Sequence, residues 1–263
     1  MSCPELSLAA RAALAHHGAE VLRWNAQFSL ISRVAPEQRL LALQQECDAA
    51  FRALHDAWAG FRSGHPGAAS PAGAASPARA AIPLRYIDLG SGGGFPGLIW
   101  QAWLQDVGLP GMAPVGTLLV EPRDKRAWLL EQVARAAGWQ VEVRRAHWGR
   151  RQPPPPRPLP PAHDLITLKA LRLTDDEVLS GWRRERPGGG SPVTICRFCS
   201  AEDGAPADGA EAGLGLPAAA APGTPGAPFS CRLPFSHPAG LDALLISHYP
   251  ATQDRPLQRP GGA

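Results

Sequence analysis

From Leu6 to Phe28, apolar or aromatic side chains recur every three or four residues: Leu6, Ala10, Ala13, His17, Val21, Trp24 and Phe28. That spacing is one face of a helix. His17 within it reads as a core-edge residue rather than a ligand. A second stripe, Leu40, Leu43, Cys47, Phe51, Leu54 and Trp58, follows Pro36, a residue suited to a first helical turn. The period then shortens. Tyr86–Leu89 is a short apolar run that an acid, Asp88, closes, with glycines following at alternate positions; it reads as a buried strand, and Pro96 stands where a helix can start. Gly116–Glu121 reads as a second strand, followed by a helix over Lys125–Ala137. Asp124 is its expected cap, Leu129, Val133 and Ala136 its inner face, and Gly138 its stop. Trp139–Arg145 and Asp164–Leu168 read as a third and a fourth strand. Thr174-Asp175-Asp176-Glu177 has the form of a capping box. The turn at 187–190 leads into a strand at Val193, and Leu241–His248 reads as a last one. Strands alternating with helices predict an α/β fold with a parallel, Rossmann-like sheet and a helical N-terminal lobe.

Composition divides the 263 residues further. The 29 prolines and 28 glycines exceed ordinary usage and are clustered. Residues 62–81 read as a low-complexity linker after the lobe at 1–61. Residues 82–199 form the expected core, interrupted by a proline-rich loop at 151–162. An acidic insert is expected at 200–228, a C-terminal strand region at 229–250 and a tail at 251–263. These stretches carry too few large apolar groups to offset their ordering entropy. The net charge is +3. The insert holds Glu202, Asp203, Asp208 and Glu211 but no Lys or Arg, so the rest of the chain stands at +7. A modestly basic folded part is compatible with a nucleic-acid partner. No apolar run has the length of a membrane span, and Arg11 breaks the one short apolar stretch near the N-terminus, so a cytoplasmic protein without membrane attachment is expected. The five cysteines are then expected as thiols. Cys196, Cys199, Cys231 and His237 match no strong zinc spacing, and no metal site is expected.

The candidate chemistry lies in Asp88-Leu89-Gly90-Ser91-Gly92-Gly93-Gly94-Phe95-Pro96-Gly97. A phosphate loop would place Lys-Ser/Thr after its last glycine, and Leu98-Ile99 excludes that. The glycines run G-x-G-x-G rather than G-x-G-x-x-G. This form resembles motif I of the S-adenosylmethionine-dependent methyltransferases. Glu121, an acid closing the second strand, is placed to accept hydrogen bonds from ribose hydroxyls.

Taken together, the motifs resemble one family, the bacterial 16S rRNA (guanine-N7)-methyltransferases, also called glucose-inhibited division protein B. Trp24-Asn25 with Leu30-Ile31-Ser32-Arg33 resembles its "WN…NLISR" signature. Asp88–Gly97 resembles its "DVGSGAGFPG". Leu119–Arg126 with Leu129-Leu130 resembles "LvEs..KK..FL". The match runs in order over roughly residues 20 to 198. The chain departs from the family at Ser29, where Asn is usual, and at Gln45, where His is usual. It also has Leu168-Lys169-Ala170 for Ala-Arg-Ala, and His147 where an acid is common.

The resemblance implies a Rossmann-like class I methyltransferase with S-adenosyl-L-methionine as cofactor. It implies that Gly90, Gly92, Gly94 and Phe95 shape the cofactor loop and that Glu121 holds the ribose. Ala146 and His147 would flank the adenine, and Lys169 would stand near the methionine end. Arg33, Lys125 and Arg126 become candidates for RNA phosphate contacts. The implied partner is 16S rRNA or a small-subunit precursor, acted on by a monomer. Guanine N7 carries a lone pair and no proton, so no catalytic base is expected; positioning and water exclusion suffice. The chain shows neither the Asn/Asp-Pro-Pro-aromatic tetrad of exocyclic-amine enzymes nor the Pro-Cys pair of cytosine-C5 enzymes. Two alternatives stay open: a methyltransferase of the same fold acting on another RNA or a small molecule, and a non-enzymatic RNA- or ribosome-binding descendant.

Overall fold

The computed structural model describes residues 3–63, 81–149, 162–186, 191–200, 229–238 and 240–251. The stretches expected as loops at 64–80, 151–161 and 201–228, the turn at 187–190 and the tail from 252 lie outside the described residues.

Helix α1 (Leu8–Phe28) begins where the Ser7 hydroxyl accepts from the Ala10 amide at 3.2 Å. It ends at Ser29, which adopts a left-handed conformation (φ 49°). Helix α2 (Pro36–Ser63) runs two residues into the expected linker. All six residues of its expected stripe are buried. Strand β1 (Ile82–Leu89) leads through the glycine turn into α3 (Gly97–Asp106), with Pro96 at the N-cap. Strand β2 (Met112–Val120) starts at Met112 rather than at Gly116. Helix α4 (Asp124–Ala136) corrects two expectations. Asp124 is its first residue and not its cap; the N-cap is Arg123, whose amide is held by Glu121 Oε1 at 2.9 Å. The buried stripe is Ala127, Leu129, Leu130, Val133 and Ala134, while Ala136 is exposed near the helix end. Strands β3 (Val141–Arg144) and β4 (His163–Leu168) follow, then α5 (Asp175–Glu185). The α5 capping box, Thr174 with Glu177, forms in full. Strand β5 (Val193–Ser200) precedes β6 (Phe229–His237) and β7 (Gly240–Tyr249).

Among the described residues these strands form one sheet in the order β3-β2-β1-β4-β5-β7-β6. The first five are parallel, and β7 runs antiparallel between β5 and β6. The parallel expectation is thereby corrected at one edge, where β6 and β7 pair antiparallel with each other and β7 with β5. Pro234 fits β6 because an edge strand tolerates a residue without an N–H.

Alternation along the strands sends side chains to two cores. Leu84, Tyr86, Leu119, Leu165 and Cys196 pack on α1 to α4, while Ile87, Leu118, Ile166, Leu168 and Ile195 pack on α5. Toward the amino-terminal ends of β1 and β4, the fully buried Asp164 accepts from Arg85 Nε (2.7 Å), Arg186 Nε (2.5 Å) and Trp182 Nε1 (2.6 Å). At the opposite end, the chain leaves β1 toward β2 on one side and reaches β4 on the other. That is a topological switch point, where open α/β sheets bind ligands beyond the carboxyl ends of their strands.

Candidate cofactor and substrate site

The turn after β1 is held open by backbone conformation. Gly90, Gly92 and Gly94 all have positive φ (72°, 54° and 92°), a region that costs L-residues energy. Their surroundings differ. A Cβ on Gly90 would come within 2.7 Å of Leu171, and one on Gly94 within 2.8 Å of His17 Nε2 and 3.0 Å of Leu98. A Cβ on Gly92 would meet nothing closer than Gly90 O at 3.7 Å and Arg126 Nη1 at 3.8 Å. Gly90 and Gly94 therefore let protein pack against the loop, and Gly92 is the glycine that faces room.

Glu121 ties this loop to β2. Its Oε2 accepts from the Gly92 amide at 2.9 Å and its Oε1 from the Arg123 amide. Its own amide donates to Arg144 O at 3.0 Å, which brings the end of β3 alongside. One carboxylate thus joins the glycine loop, the end of β2 and the start of α4. Two oxygens offer about four acceptor positions, so the carboxylate retains capacity for hydroxyl donors.

Asp88, the acid before the loop, is buried between the β-strands and α3. Thr167 Oγ1 donates to its Oδ1 at 2.6 Å, and Tyr86 OH lies 2.9 Å from the same hydroxyl. Because the threonine proton goes to the carboxylate, Tyr86 is the donor of the second bond. Burial pushes the Asp88 carboxyl up to about 6, against the opposing effect of the Thr167 bond. Its Oδ2 faces the backbone of Gly97, where a Cβ would come within 2.6 Å. Gly97 is thus a glycine by close approach rather than by dihedral angle.

Two residues outside the expected site contribute to it, one bonded to the loop and one paired with Lys169. His17 is fully buried and not at the edge of the core as expected; its Nε2 lies 2.7 Å from Gly93 O. A carbonyl only accepts, so Nε2 carries the proton and Nδ1 is left unpartnered in the core. Burial holds the imidazole down to about 4, so it is neutral at neutral pH. Phe95 packs on it, with ring centroids 5.1 Å apart. The second residue is Glu46 of α2, which forms an ion pair with Lys169. A histidine inside an otherwise apolar stripe was the available signal for the first. Nothing local marks Glu46.

The Trp24-Asn25 signature acts through the backbone. The buried Asn25 Oδ1 accepts from the Leu30 and Ile31 amides, both at 2.9 Å. This turns the chain after α1 back so that Leu30 lies beside Gly93.

The other expected site residues fall into three groups. Ala146 and the exposed His147 follow β3, next to Glu121 through the Glu121–Arg144 bond. Lys169 follows β4, paired with Glu46 and with its Nζ 4.8 Å from the centroid of the Phe198 ring. Arg33, Lys125 and Arg126 converge on the end of α1. Arg33 donates to Ala26 O (2.9 Å) and Ser29 Oγ (3.0 Å). Lys125 Nζ lies 5.6 Å from the Phe28 ring centroid. Arg126 Nη2 donates to Ser29 O at 2.7 Å. Arg126 is only half-exposed, and burial together with nearby Arg123 lowers its pKa. Among the described residues, no three His, Cys, Asp or Glu side chains are gathered as a metal site requires, and no helix is long and apolar enough to cross a membrane.

The strand order and the glycine turn at its switch point define the class: a Rossmann-like, doubly wound sheet with an antiparallel hairpin at one edge. No family model and no curated protein matches the chain. Among solved structures it is similar to an rRNA methylase from Streptococcus thermophilus, at 11% identity over 65% of this chain and 91% of that one, with a TM-score of 0.39. It is also similar to the YcgJ protein from Bacillus subtilis, at 16% identity over 57% and 53% of the two chains and a TM-score of 0.32. A third similar structure is an S-adenosylmethionine-dependent methyltransferase from Clostridium acetobutylicum, at 15% identity over 44% and 43%, with a TM-score of 0.29.

Proposed function

We propose that this chain is an S-adenosylmethionine-dependent methyltransferase that methylates N7 of a guanine in 16S rRNA. One observation carries the cofactor assignment: the Gly92 amide, in a positive-φ turn that faces room, is joined to the carboxylate of Glu121 at the end of the neighbouring strand. Gly92 allows close approach of a ligand, and Glu121 retains acceptor capacity for its ribose. On this reading Lys169, beyond β4, would offer a cation to a ligand carboxylate, and Ala146 and His147, after β3, would flank the adenine. When bound, S-adenosylmethionine supplies a methyl group already activated on a sulfonium. The chain's own work is then positional, with Phe95, packed on His17, and Leu30, beside Gly93, supporting the loop that would orient the cofactor. Guanine N7 needs no deprotonation, in keeping with a site in which no base is required. The target base must be unstacked from folded RNA, and the cations at the end of α1 lie beside the loop that would receive it.

The test is methyl transfer from labelled cofactor to 16S rRNA and to small subunits from a strain lacking the gene, with mass spectrometry locating the product. A single N7-methylguanosine is expected. Transfer to a different RNA or a small molecule would replace the substrate assignment. The engagement of Lys169 by Glu46 favours a second reading, a non-enzymatic RNA-binding descendant, and RNA binding without cofactor binding would support it.

A further inference from the structure

Trp24 and Phe28, one turn apart on α1, stack with ring centroids 5.2 Å apart and planes 12° apart. Trp128, from α4, stands edge-on to both at 5.2 and 6.2 Å. Trp128 lies on the outer side of its helix, away from the buried Leu129, Leu130 and Val133, and is 36% exposed. A single exposed tryptophan needs no explanation. Three adjoining rings bordered by cations do. The Arg23 guanidinium lies 5.2 Å from the Trp24 centroid, and the Lys125 ammonium 5.6 Å from that of Phe28. Arg33 and Arg126 are fixed to the end of α1 beside them. The acids alongside are Glu20, held by Trp24 Nε1 (3.0 Å) and Arg23, and the exposed Asp124. Cations outnumber acids around flat apolar rings. That is the chemistry that stacks unpaired bases while holding their phosphates.

The patch also adjoins the site. Arg126 reaches Gly92, and Leu30 touches Gly93. A polymer delivering one base to the glycine loop would cross this surface. We propose that Trp128, together with the Trp24–Phe28 pair, is a stacking platform for unpaired RNA bases flanking the target, with Arg23 and Lys125 on their phosphates. The proposal rests on the reading of the chain as acting on RNA.

Binding of a labelled, unstructured twelve-nucleotide RNA to the full chain, followed by fluorescence anisotropy, tests it. Trp128→Ala is expected to weaken binding by about five- to a hundred-fold, the range for loss of one stacked base. Trp128→Phe should stay within about threefold of wild type, and Trp128→Leu, apolar but unable to stack, should fall with alanine. Lys125→Ala should flatten the dependence of log affinity on log salt by about 0.7, one phosphate contact. Equal RNA affinity for Trp128→Ala and wild type would overturn the platform, as would Leu substituting as well as Phe. So would a wild-type dimer that Trp128→Ala dissolves, since the patch would then serve self-association. Calorimetric titration of S-adenosylmethionine into the same variants reports the methyltransferase reading separately: its failure in wild type defeats that reading, whereas retained cofactor binding with unaltered RNA binding defeats only the platform.

Discussion

The imidazole of His17, in the middle of α1, is hydrogen-bonded to the carbonyl of Gly93 at 2.7 Å. The N-terminal helix therefore holds the glycine loop directly, through a side chain that is buried and neutral.

The burial of that imidazole gives stability a pH dependence, against the opposing effect of the Gly93 bond. Burial lowers the His17 pKa from 6.5 to about 4. The unfolded chain takes up the proton first, so the contribution is fully present above pH 6.5 and is lost as pH falls toward 4. At 1.36 kcal/mol per pKa unit, the loss is about 3 kcal/mol. Buried His163, lowered to about 3, acts in the same direction. The comparison is therefore between wild type and His17→Gln, which keeps a donor for Gly93 but does not titrate. Urea unfolding from pH 7.5 to 4.5 should show a shallower loss in the variant. Parallel profiles would mean that His17 is protonated without penalty.

The loop glycines should separate folding from binding. Gly92→Ala makes only ordinary contacts, with Gly90 O at 3.7 Å and Arg126 Nη1 at 3.8 Å, and carries the cost of a left-handed residue, about 1–2 kcal/mol. It should fold and lose cofactor affinity, because its Cβ enters the room the ligand needs. Gly94→Ala would drive a Cβ into His17 and Leu98 and should unfold the protein at temperatures wild type tolerates. Thermal melts with and without S-adenosylmethionine would show this. A cofactor-induced rise in Tm in Gly92→Ala equal to that of wild type would place the ligand elsewhere.

Lys169 has two calls on its ammonium: Glu46, which it pairs in this structure, and a bound anion. Lys169→Ala should lower kcat/KM by one to a few kcal/mol, roughly a charge-assisted hydrogen bond. Lys169→Arg should retain activity. Glu46→Gln frees the ammonium and should preserve or raise activity while costing some stability. If Lys169→Ala and Glu46→Gln lower Tm alike and leave kcat/KM unchanged, the pair is structural only.

Asp164 anchors the other end of the sheet. Asp164→Asn removes the buried carboxylate that Arg85 and Arg186 share, and breaking a buried ion pair typically costs about 3–5 kcal/mol. Denaturant titration should show the loss. Cofactor affinity of the folded fraction should hold, since the cluster lies away from the carboxyl ends of the strands. A drop in both would show that the two ends are coupled.

The sequence by itself determined the local elements and the core loop. Periodicity located α1, α2 and β1, because each buries one face or a whole strand and the pattern is written in consecutive residues. The G-x-G-x-G turn and Glu121 were legible for the same reason: backbone freedom and strand-end acids are local properties. Tertiary structure alone decided the rest. It set β7 antiparallel against β5 at the sheet edge, since those pairing partners lie outside any local window. It gave Glu121 the Gly92 amide, turned Arg126 from the open surface toward Ser29, and paired Lys169 with Glu46 of α2. It also took His17 from a helix stripe to the carbonyl of Gly93. Each of these is a contact between residues far apart in the chain, fixed by how helices seat on the sheet, and a hydrogen bond of this range leaves no periodic trace in sequence.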